Sequence, residues 1–149
     1  MARTVLHCVL ASPDRLVFQG DARSVVVPAE DGELGILPRH APLIAKLGDG
    51  ELRIERAETA PEAGGAPLVR YFVQGGFVQV LRDQVNIIST EVEPVEAIDG
   101  ARVQVELDDL AAARPKAGVA ESEREAYEAR VRVARKRART ARMDRTAKG

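Results

Sequence analysis

The stretch PAEDGELGILPRHAPLIAKLGDGEL, residues 28 to 52, determines the kind of fold that this chain can adopt. Asp31-Gly32 and Gly48-Asp49-Gly50 are turn signals, because glycine accepts the positive φ angles that tight turns require. Pro38 and Pro42 exclude a helix through the middle, because proline lacks a backbone donor and blocks the preceding turn. We therefore predict short strands joined by tight loops.

The apolar residues of this stretch are numerous enough to tie it to a core. They are Leu34, Ile36, Leu37, Leu43, Ile44 and Leu47. His40 lies between two of these apolar runs and is the only histidine of the stretch.

The composition is that of a globular protein, with 45% hydrophobic and 30% charged residues in a chain of 149. No apolar run approaches the length of about 20 residues that spans a bilayer. Residues 1 to 10 lack the pattern of a signal peptide, so the chain is expected to stay in the compartment where it is made. Cys8 is the single cysteine, which excludes an intrachain disulfide, and we expect it to be buried on the first strand.

The charge is distributed very unevenly along the chain. Residues 1 to 128 carry 13 basic and 22 acidic side chains, a net charge of −9, whereas residues 129 to 149 carry 9 basic and 1 acidic, a net charge of +8. A basic arm therefore follows an acidic body, and this asymmetry concerns the partners of the protein more than its fold.

Short strands separated by turns are predicted for most of residues 4 to about 92. The polar segment 58–67 is predicted to be a hairpin loop, and Gly20 is predicted to end the second strand. Strands this short and this numerous favour a β-sandwich or a barrel. The predicted strands are 4–10, 15–18, 22–27, 51–56, 68–73, 77–81 and 84–89, in addition to those within residues 28–52.

Two helices are predicted after an acidic linker at residues 91–96. Asp99 can cap a first helix that ends near Ala113, although the alternation of Val103, Val105 and Leu107 fits a strand nearly as well. A second helix is predicted from Glu123 to about Met143, about 30 Å long, with Ser122 to Glu125 as a capping box. Its apolar stripe is mostly alanine and should be held weakly: Tyr127, Val131, Ala134, Ala138 and Ala141.

No group of residues in the sequence has the spacing of an active site or a metal site. The second helix instead concentrates positive charge, and arginine binds carboxylates and phosphates equally well. An acidic protein surface, a nucleic acid and an anionic lipid all remain open as partners. The basic residues are Arg130, Arg132, Arg135, Lys136, Arg137, Arg139, Arg142 and Arg145.

Several motifs occur in a fixed order along the chain. They are Phe18-x-Gly20, Val25-x-Val27-Pro28, Gly32-Glu33-Leu34-Gly35-Ile36-Leu37-Pro38-x-His40-Ala41-Pro42-Leu43, Gly50-x-Leu52-x-Ile54, Tyr71-x-Val73-x-Gly75-Gly76-Phe77 and Ile98-Asp99-x-x-Arg102. In this order and spacing they make the chain resemble the epsilon subunit of bacterial F-type ATP synthases over most of its length.

The resemblance implies a mainly β fold with an α-helical appendage. A flattened ten-stranded β-sandwich that binds the rotor would occupy residues 1–93, and an antiparallel two-helix regulatory hairpin would occupy residues 94–149. The implied role is that of a non-catalytic central-stalk subunit that couples the gamma subunit to the membrane rotor ring of c subunits. Asp31, Gly32 and Glu33 would contact the ring, with Glu33 at the tip of the loop, and His40 would contact gamma.

The resemblance also implies that the two helices are mobile and inhibit ATP hydrolysis when they extend to the alpha and beta subunits of the catalytic head. No cofactor is required. Some members bind ATP as a regulatory ligand, and the matching residues here are Ile98, Asp99 and Arg102, although Val103 replaces the alanine of the family pattern.

The competing interpretation is a small β-domain with a nucleic-acid-binding helix. The acidic body and the scarcity of aromatic residues oppose it, so no nucleic acid is expected. The resemblance implies instead a peripheral location at the cytoplasmic face of a bacterial inner membrane, without direct membrane insertion. The 18 arginines and 4 lysines fit a GC-rich bacterial genome.

Overall fold

The structure is a computed structural model that describes residues 4–57 and 67–148. The chain divides into two compact units, Met1–Pro94 and Val95–Gly149. The described part of the first unit contains nine strands. They are β1 (Leu6–Ser12), β2 (Arg15–Ala29), β3 (Gly32–Ile36), β4 (Leu43–Lys46), β5 (Gly50–Arg56), β6 (Leu68–Gln74), β7 (Phe77–Leu81), β8 (Gln84–Ile88) and β9 (Glu91–Pro94).

One hydrogen-bonded sheet runs in the order β4-β7-β8-β1-β2-β5-β6-β9, and β3 pairs with β2 beside this path. The sheet folds over on itself, because β9 contacts β1 although three strands separate them in this order. Ala29 at the end of β2 also bridges Leu47, just after the opposite edge strand β4. The result is the sandwich-like layer arrangement that the sequence predicted.

The main buried cluster of the sandwich is aliphatic, as the composition predicted, although Phe72 on β6 is also buried, at 1% exposure. Alternate residues of the strands point inward and form one buried cluster, in which Leu6, Leu10 and Ile54 are fully buried. Cys8 also lies in this cluster on β1 with no exposed surface, which confirms its expected position. Burial raises the pKa of the Cys8 thiol to about 12, so the native protein keeps it protonated at neutral pH.

The two strands predicted on either side of Gly20 are a single strand, so that prediction was wrong. Gly20 lies within the ladder opposite Cys8, and β2 continues through it to Ala29. The first part of β2 pairs with β1 and the last part with β3, while β5 pairs along its other edge. The described residues contain nine strands, where the resemblance implied ten.

The predicted acidic linker at residues 91–96 is also wrong in its first part. Glu91–Pro94 forms β9, an edge strand that pairs with β6 from Gln74 to Tyr71. Proline is tolerated at its end because an edge position requires no further ladder bond. A short 3₁₀ turn at Val95–Ala97 then begins the second unit.

The second unit is a pair of antiparallel helices, α1 (Gly100–Ala112) and α2 (Glu121–Lys148). Asp99 caps α1, since its Oδ1 accepts hydrogen bonds from the backbone N–H groups of Ala101 and Arg102. The strand alternative for this segment is excluded, because Val103 is buried while Val105 is 59% exposed. The Tyr127 hydroxyl on α2 donates to the Leu110 carbonyl at 2.7 Å and joins the helices near the turn.

Helix α2 differs from the prediction at both ends. It begins at Glu121, and the Ala120 carbonyl accepts from the N–H groups of Glu123 and Arg124, so Ser122 lies inside the helix and the predicted capping box is wrong. Acidic residues in the first turn complement the helix dipole. The 28 residues give a length of about 42 Å rather than 30 Å.

Ala134, Ala138 and Ala141 are buried, as the predicted alanine stripe requires.

Replacing Gly76 with alanine should destabilise the sandwich strongly. Gly76 has a φ of +110°, and an added Cβ would overlap the Ile88 carbonyl oxygen, so we expect a loss of more than about 3 kcal/mol. Gly75 is the matched control, because it has a φ of +61° with open space around it, and its alanine variant should lose only about 1 to 2 kcal/mol.

The stability of the sandwich in the two variants can be compared by alkylating Cys8 at increasing urea concentrations. The buried thiol reacts only after the sandwich unfolds, so the urea midpoint of the reaction reports its stability. Equal urea midpoints for the two variants would contradict the prediction.

Candidate functional site

A two-residue turn, Glu30-Asp31, joins β2 to β3 at the rim of the sandwich. Gly32 follows with a φ of +147°, which favours glycine, and nothing lies within 4 Å of its missing side chain. Asp31, Gly32 and Glu33 are all exposed, as a contact surface requires. The tip is Glu30-Asp31, however, and the expectation of Glu33 at the tip was wrong, because Glu33 pairs with Pro28 inside the β2–β3 ladder.

Glu33 is held by Arg53 of β5 in a bidentate ion pair. The two guanidinium nitrogens donate to the two carboxylate oxygens at 3.1 and 3.0 Å. These hydrogen bonds and the positive charge hold the pKa of Glu33 below its ordinary value and raise the pKa of Arg53. The charge of Glu33 is therefore already compensated within the chain.

The ion pair continues across the outer face of the sheet. Arg53 also lies 3.7 Å from Glu51, and Glu51 accepts two hydrogen bonds of 2.8 Å from Arg70 on β6. Glu51 and Arg70 are the less exposed members, at 12% and 17% of their side-chain surface. We call Glu33, Arg53, Glu51 and Arg70 the charge ladder; it connects β3 at the rim of the sandwich to β5 and β6.

The other side of the turn is fixed by the segment after β4. Lys46 lies 3.3 Å from Glu30, and the Gly48 N–H donates to the Pro28 carbonyl at 3.0 Å. A side chain at Gly48 would come within 2.7 Å of the Ala29 carbonyl oxygen, so only glycine allows this close approach. The segment from Lys46 to Gly48 thus packs against residues 28–30, which lead into the turn.

His40 lies in the loop between β3 and β4, and it is half-buried. Its Nδ1–H donates to the Ala41 carbonyl at 2.7 Å, and its backbone N–H donates to the Leu37 carbonyl at 3.1 Å. The preceding Arg39 has a φ of +68°, and its N–H donates to Asp83 Oδ1 at 2.6 Å. Asp83 belongs to the turn between β7 and β8, so that turn holds the His40 loop in place.

An exposed apolar surface on β4, β7 and β8 was missed by the sequence reasoning. Ile44 is 73% exposed, Phe77 60%, Ile88 58% and Leu81 45%. The ladder places Phe77 beside both Lys46 and Ile88, so these side chains share the outer face of the sheet. We call Ile44, Phe77, Leu81 and Ile88 the apolar face. Clustered exposed apolar residues indicate a protein interface.

Two residues of the quoted stretch that were expected in the core lie on the surface. Ile44 belongs to the apolar face, and Leu37, in the His40 loop, is 62% exposed. Ile36 and Leu47 are buried as expected. A signal was available in Phe77 to Leu81, because that strand has apolar residues on both faces where an ordinary surface strand alternates with polar ones.

The basic residues of α2 do not all face solvent. Arg130, Arg132, Arg135, Lys136, Arg139, Arg142 and Arg145 are exposed. Arg137 is only 22% exposed and donates to Glu106 of α1 at 3.1 Å, so it joins the two helices. Arg132, Arg135 and Lys136 line a groove of about 940 Å³ near the helix turn, together with Arg114, Lys116 and Arg124.

Ile98, Asp99 and Arg102 lie together at the start of α1. Ile98 is buried, the Asp99 carboxylate caps the helix, and Arg102 is exposed. Arg102 lines a groove of about 640 Å³ that also contains Arg130 of α2. An ATP site at these residues stays a prediction.

No set of three or more His, Cys, Asp or Glu side chains among the described residues is arranged to hold a metal ion. Neither described helix combines the length and the hydropathy of a bilayer-spanning segment.

Comparison with known proteins identifies the class to which this sandwich belongs. A family model described as the β-sandwich domain of the ATP synthase delta/epsilon chain matches residues 5–95. The chain is 39% identical to the ATP synthase epsilon chain of Rhodopirellula baltica over 94 residues, which are 63% of this chain and 67% of that one. It is 39% identical to the epsilon chain of Halalkalibacterium halodurans over 99 residues, 66% and 68% of the two chains.

Solved structures share the fold at lower sequence identity. A chain from the Euglena gracilis mitochondrial ATP synthase superposes with a TM-score of 0.74 and 23% identity, covering 89% of this chain and 79% of that one. A chain from the Tetrahymena thermophila mitochondrial ATP synthase superposes with a TM-score of 0.65 and 14% identity, covering 91% of this chain and 96% of that one.

The chain therefore belongs to the ATP synthase delta/epsilon chain family. The prediction of a subunit of this complex, rather than an enzyme acting alone, is confirmed by its relatives, which are epsilon chains of ATP synthase.

The charge ladder makes a pH-dependent contribution to stability that can be measured. Because the pKa of folded Glu33 lies below its ordinary value of about 4.3, its contribution is present above that value and is lost as the pH falls through the folded pKa. The pair is largely exposed, so the contribution should be at most about 1 kcal/mol at pH 7.

Carboxyl-carbon NMR titration checks this directly, and Arg53→Gln should return the pKa of Glu33 toward its ordinary value. Asp14 is the internal control, because its lowered pKa comes first from the Ser12 hydrogen bond and should stay unchanged. The same Glu33 titration in both proteins would refute the assignment.

Proposed function

We propose that this chain is the central-stalk epsilon subunit of a bacterial F-type ATP synthase. In this role it couples the gamma subunit to the membrane rotor ring and inhibits ATP hydrolysis through its two C-terminal helices. The observation that carries the proposal is the apolar face beside the His40 loop, on a sandwich of the epsilon family. A lone soluble domain would not leave four large apolar side chains exposed on adjacent strands.

The gamma subunit is the partner that we assign to the apolar face. Its side chains stand on paired strands, so they present a rigid surface with little entropy left to lose on binding. The Asp83–Arg39 hydrogen bond places Leu37 and His40 at the end of β7 and β8 that carries Leu81, which extends the same contact. His40 therefore belongs to the rim of this interface, as the resemblance implied.

The turn Glu30-Asp31 is assigned to the rotor ring, together with the neighbouring Gly32 and Glu33 that support it. The Tetrahymena relative in fold comes from a central stalk/c-ring structure, and the Euglena relative from an F1/c-ring structure. The exposed, firmly held turn at the rim of this sandwich suits such a contact. In this proposed assignment the chain lies peripherally, as part of the complex, at the cytoplasmic face of the bacterial inner membrane.

The two helices are assigned to inhibition of the alpha and beta subunits. Buried alanines contribute little area to the helix pair, and the exposed arginines of α2 offer charge-assisted bonds to an acidic surface. The basic helix favours the alternative of a nucleic-acid-binding domain. The named relatives of this chain, however, are ATP synthase epsilon chains, which favours the proposed function.

Replacing Phe77 with aspartate should weaken gamma binding at least tenfold, because an unpaired carboxylate would be buried in the interface at a cost of about 2 kcal/mol or more. Leu68→Asp is the matched control: Leu68 is a similarly exposed apolar residue, 43% against 60%, but it lies on β6, five strands away. Titration of purified gamma measures both. If the two variants bind gamma equally well, the apolar face is not the interface.

A chain that ends after Val95 keeps all nine described strands and should assemble normally while losing inhibition. ATPase activity of the reconstituted complex measures this. The variant Arg132→Gln/Arg135→Gln/Arg139→Gln removes positive charge from α2 while keeping the helix pair, because it retains Arg137 and its bond to Glu106. It therefore tests the charge of the helix independently of its presence. It should inhibit less, and added salt should reduce inhibition by the unmodified chain through screening. Full inhibition by the truncated chain would rule out the regulatory role.

A further inference from the structure

The turn between β2 and β3 carries three carboxylates whose situations differ. Glu30 is paired with Lys46, and Glu33 is paired with Arg53. Asp31 forms no ion pair or hydrogen bond with any other described residue. The three acidic residues of this turn therefore cannot contribute equally to a contact with a partner.

Arg53 reaches Glu33 across an intervening strand. Arg53 lies opposite Val26 of β2, whereas Glu33 lies opposite Pro28 on the other edge of the same strand. The guanidinium thus passes over β2 and connects β5 to β3, which are not themselves paired. No backbone hydrogen bond joins these two strands directly, so the side-chain pair adds a constraint that the ladder does not provide.

The far end of the charge ladder is anchored more firmly than the near end. Glu51 and Arg70 are mostly buried and joined by two bonds of 2.8 Å, while the Glu33 side chain is 55% exposed. Glu51 lies 3.7 Å from Arg53 and limits the positions that its guanidinium can take. The less exposed pair Glu51–Arg70 therefore restrains Arg53, and Arg53 in turn restrains Glu33 beside the turn.

We infer that Arg53 is a positioning residue for the ring contact: it fixes Glu33 against the sheet and so holds the turn in place, leaving Asp31 as the carboxylate presented to the ring. This inference rests on the proposed function, which assigns the turn to the ring. Glu33 acts within the chain, and its effect on binding passes through the position of the turn. A planar guanidinium suits this task, because its two parallel bonds fix the orientation of the carboxylate where a lysine would supply a point charge.

The test measures binding of full-length variants to the purified rotor ring in detergent. Arg53→Gln and Glu33→Gln should each weaken binding about threefold to fivefold, the range expected for an exposed bidentate pair. The double variant should be no weaker than either single variant, because both remove the same restraint. Arg53→Lys should give an intermediate affinity, and Asp31→Asn should weaken binding whether or not Arg53 is present.

Two further variants separate positioning from a general loss of structure. Arg23→Gln is the matched control, because Arg23 on β2 pairs with Glu55 on β5 at 3.9 Å but lies away from the turn, and it should bind normally. The exchanged pair Glu33→Arg/Arg53→Glu should regain most of the affinity, which a direct ring contact by Glu33 would not allow.

Amide NMR spectra of the free proteins distinguish failure of this inference from failure of the proposed function. Arg53→Gln should shift the Asp31 and Gly32 resonances and raise their fast motion, while Arg23→Gln should not. Unchanged amides, unchanged ring affinity in Arg53→Gln, or additive losses in the double variant would each overturn the positioning role. If the unmodified chain does not bind the ring while the amides respond as expected, the proposed ring contact is wrong and the restraint by Arg53 stands.

Discussion

The continuity of β2 is the constraint on which the rest of the sandwich depends. Its 15 residues pair first with β1 and then with β3 along one edge, and with β5 along the other. An irregularity between Ala22 and Ser24 lets one strand serve these partners, because a bulge adds twist without ending the ladder. The turn proposed for the ring and the strand that carries Arg53 are both positioned by this strand.

Much of the fold could be predicted from local sequence, because local chemistry determines it. The glycines and prolines of residues 28–52 correctly predicted short strands and turns, and Asp99 correctly marked the start of α1. The prediction that the alanine stripe of α2 is buried was correct, because the helical repeat alone determines which residues share a face. The family motifs then identified the relatives of the chain.

The errors arose where partners distant in the sequence decide the structure. Gly20 was expected to end a strand, but pairing with Cys8 on β1 carries β2 through it. Residues 91–94 were predicted to be a linker because acidic residues and a proline are unusual in strands, but pairing with β6 makes them an edge strand. Arg53 could not be matched with Glu33 from the sequence, since their contact depends on the register of two strands on opposite edges of β2. The apolar face was missed because an apolar residue in a strand reads as core.

The turn between β7 and β8 combines two requirements that oppose each other. Arg82 and Asp83 have φ angles of +49° and +61°, the conformation of a type I′ hairpin turn that Asn-Gly adopts with less strain. Asp83 nevertheless supplies the carboxylate that accepts the Arg39 N–H and fixes the neighbouring loop. A search for thermostable variants would therefore favour Asn-Gly at this turn, and the more stable protein would have a looser His40 loop. Thermal stability and the fixed position of the His40 loop here compete for the same residue.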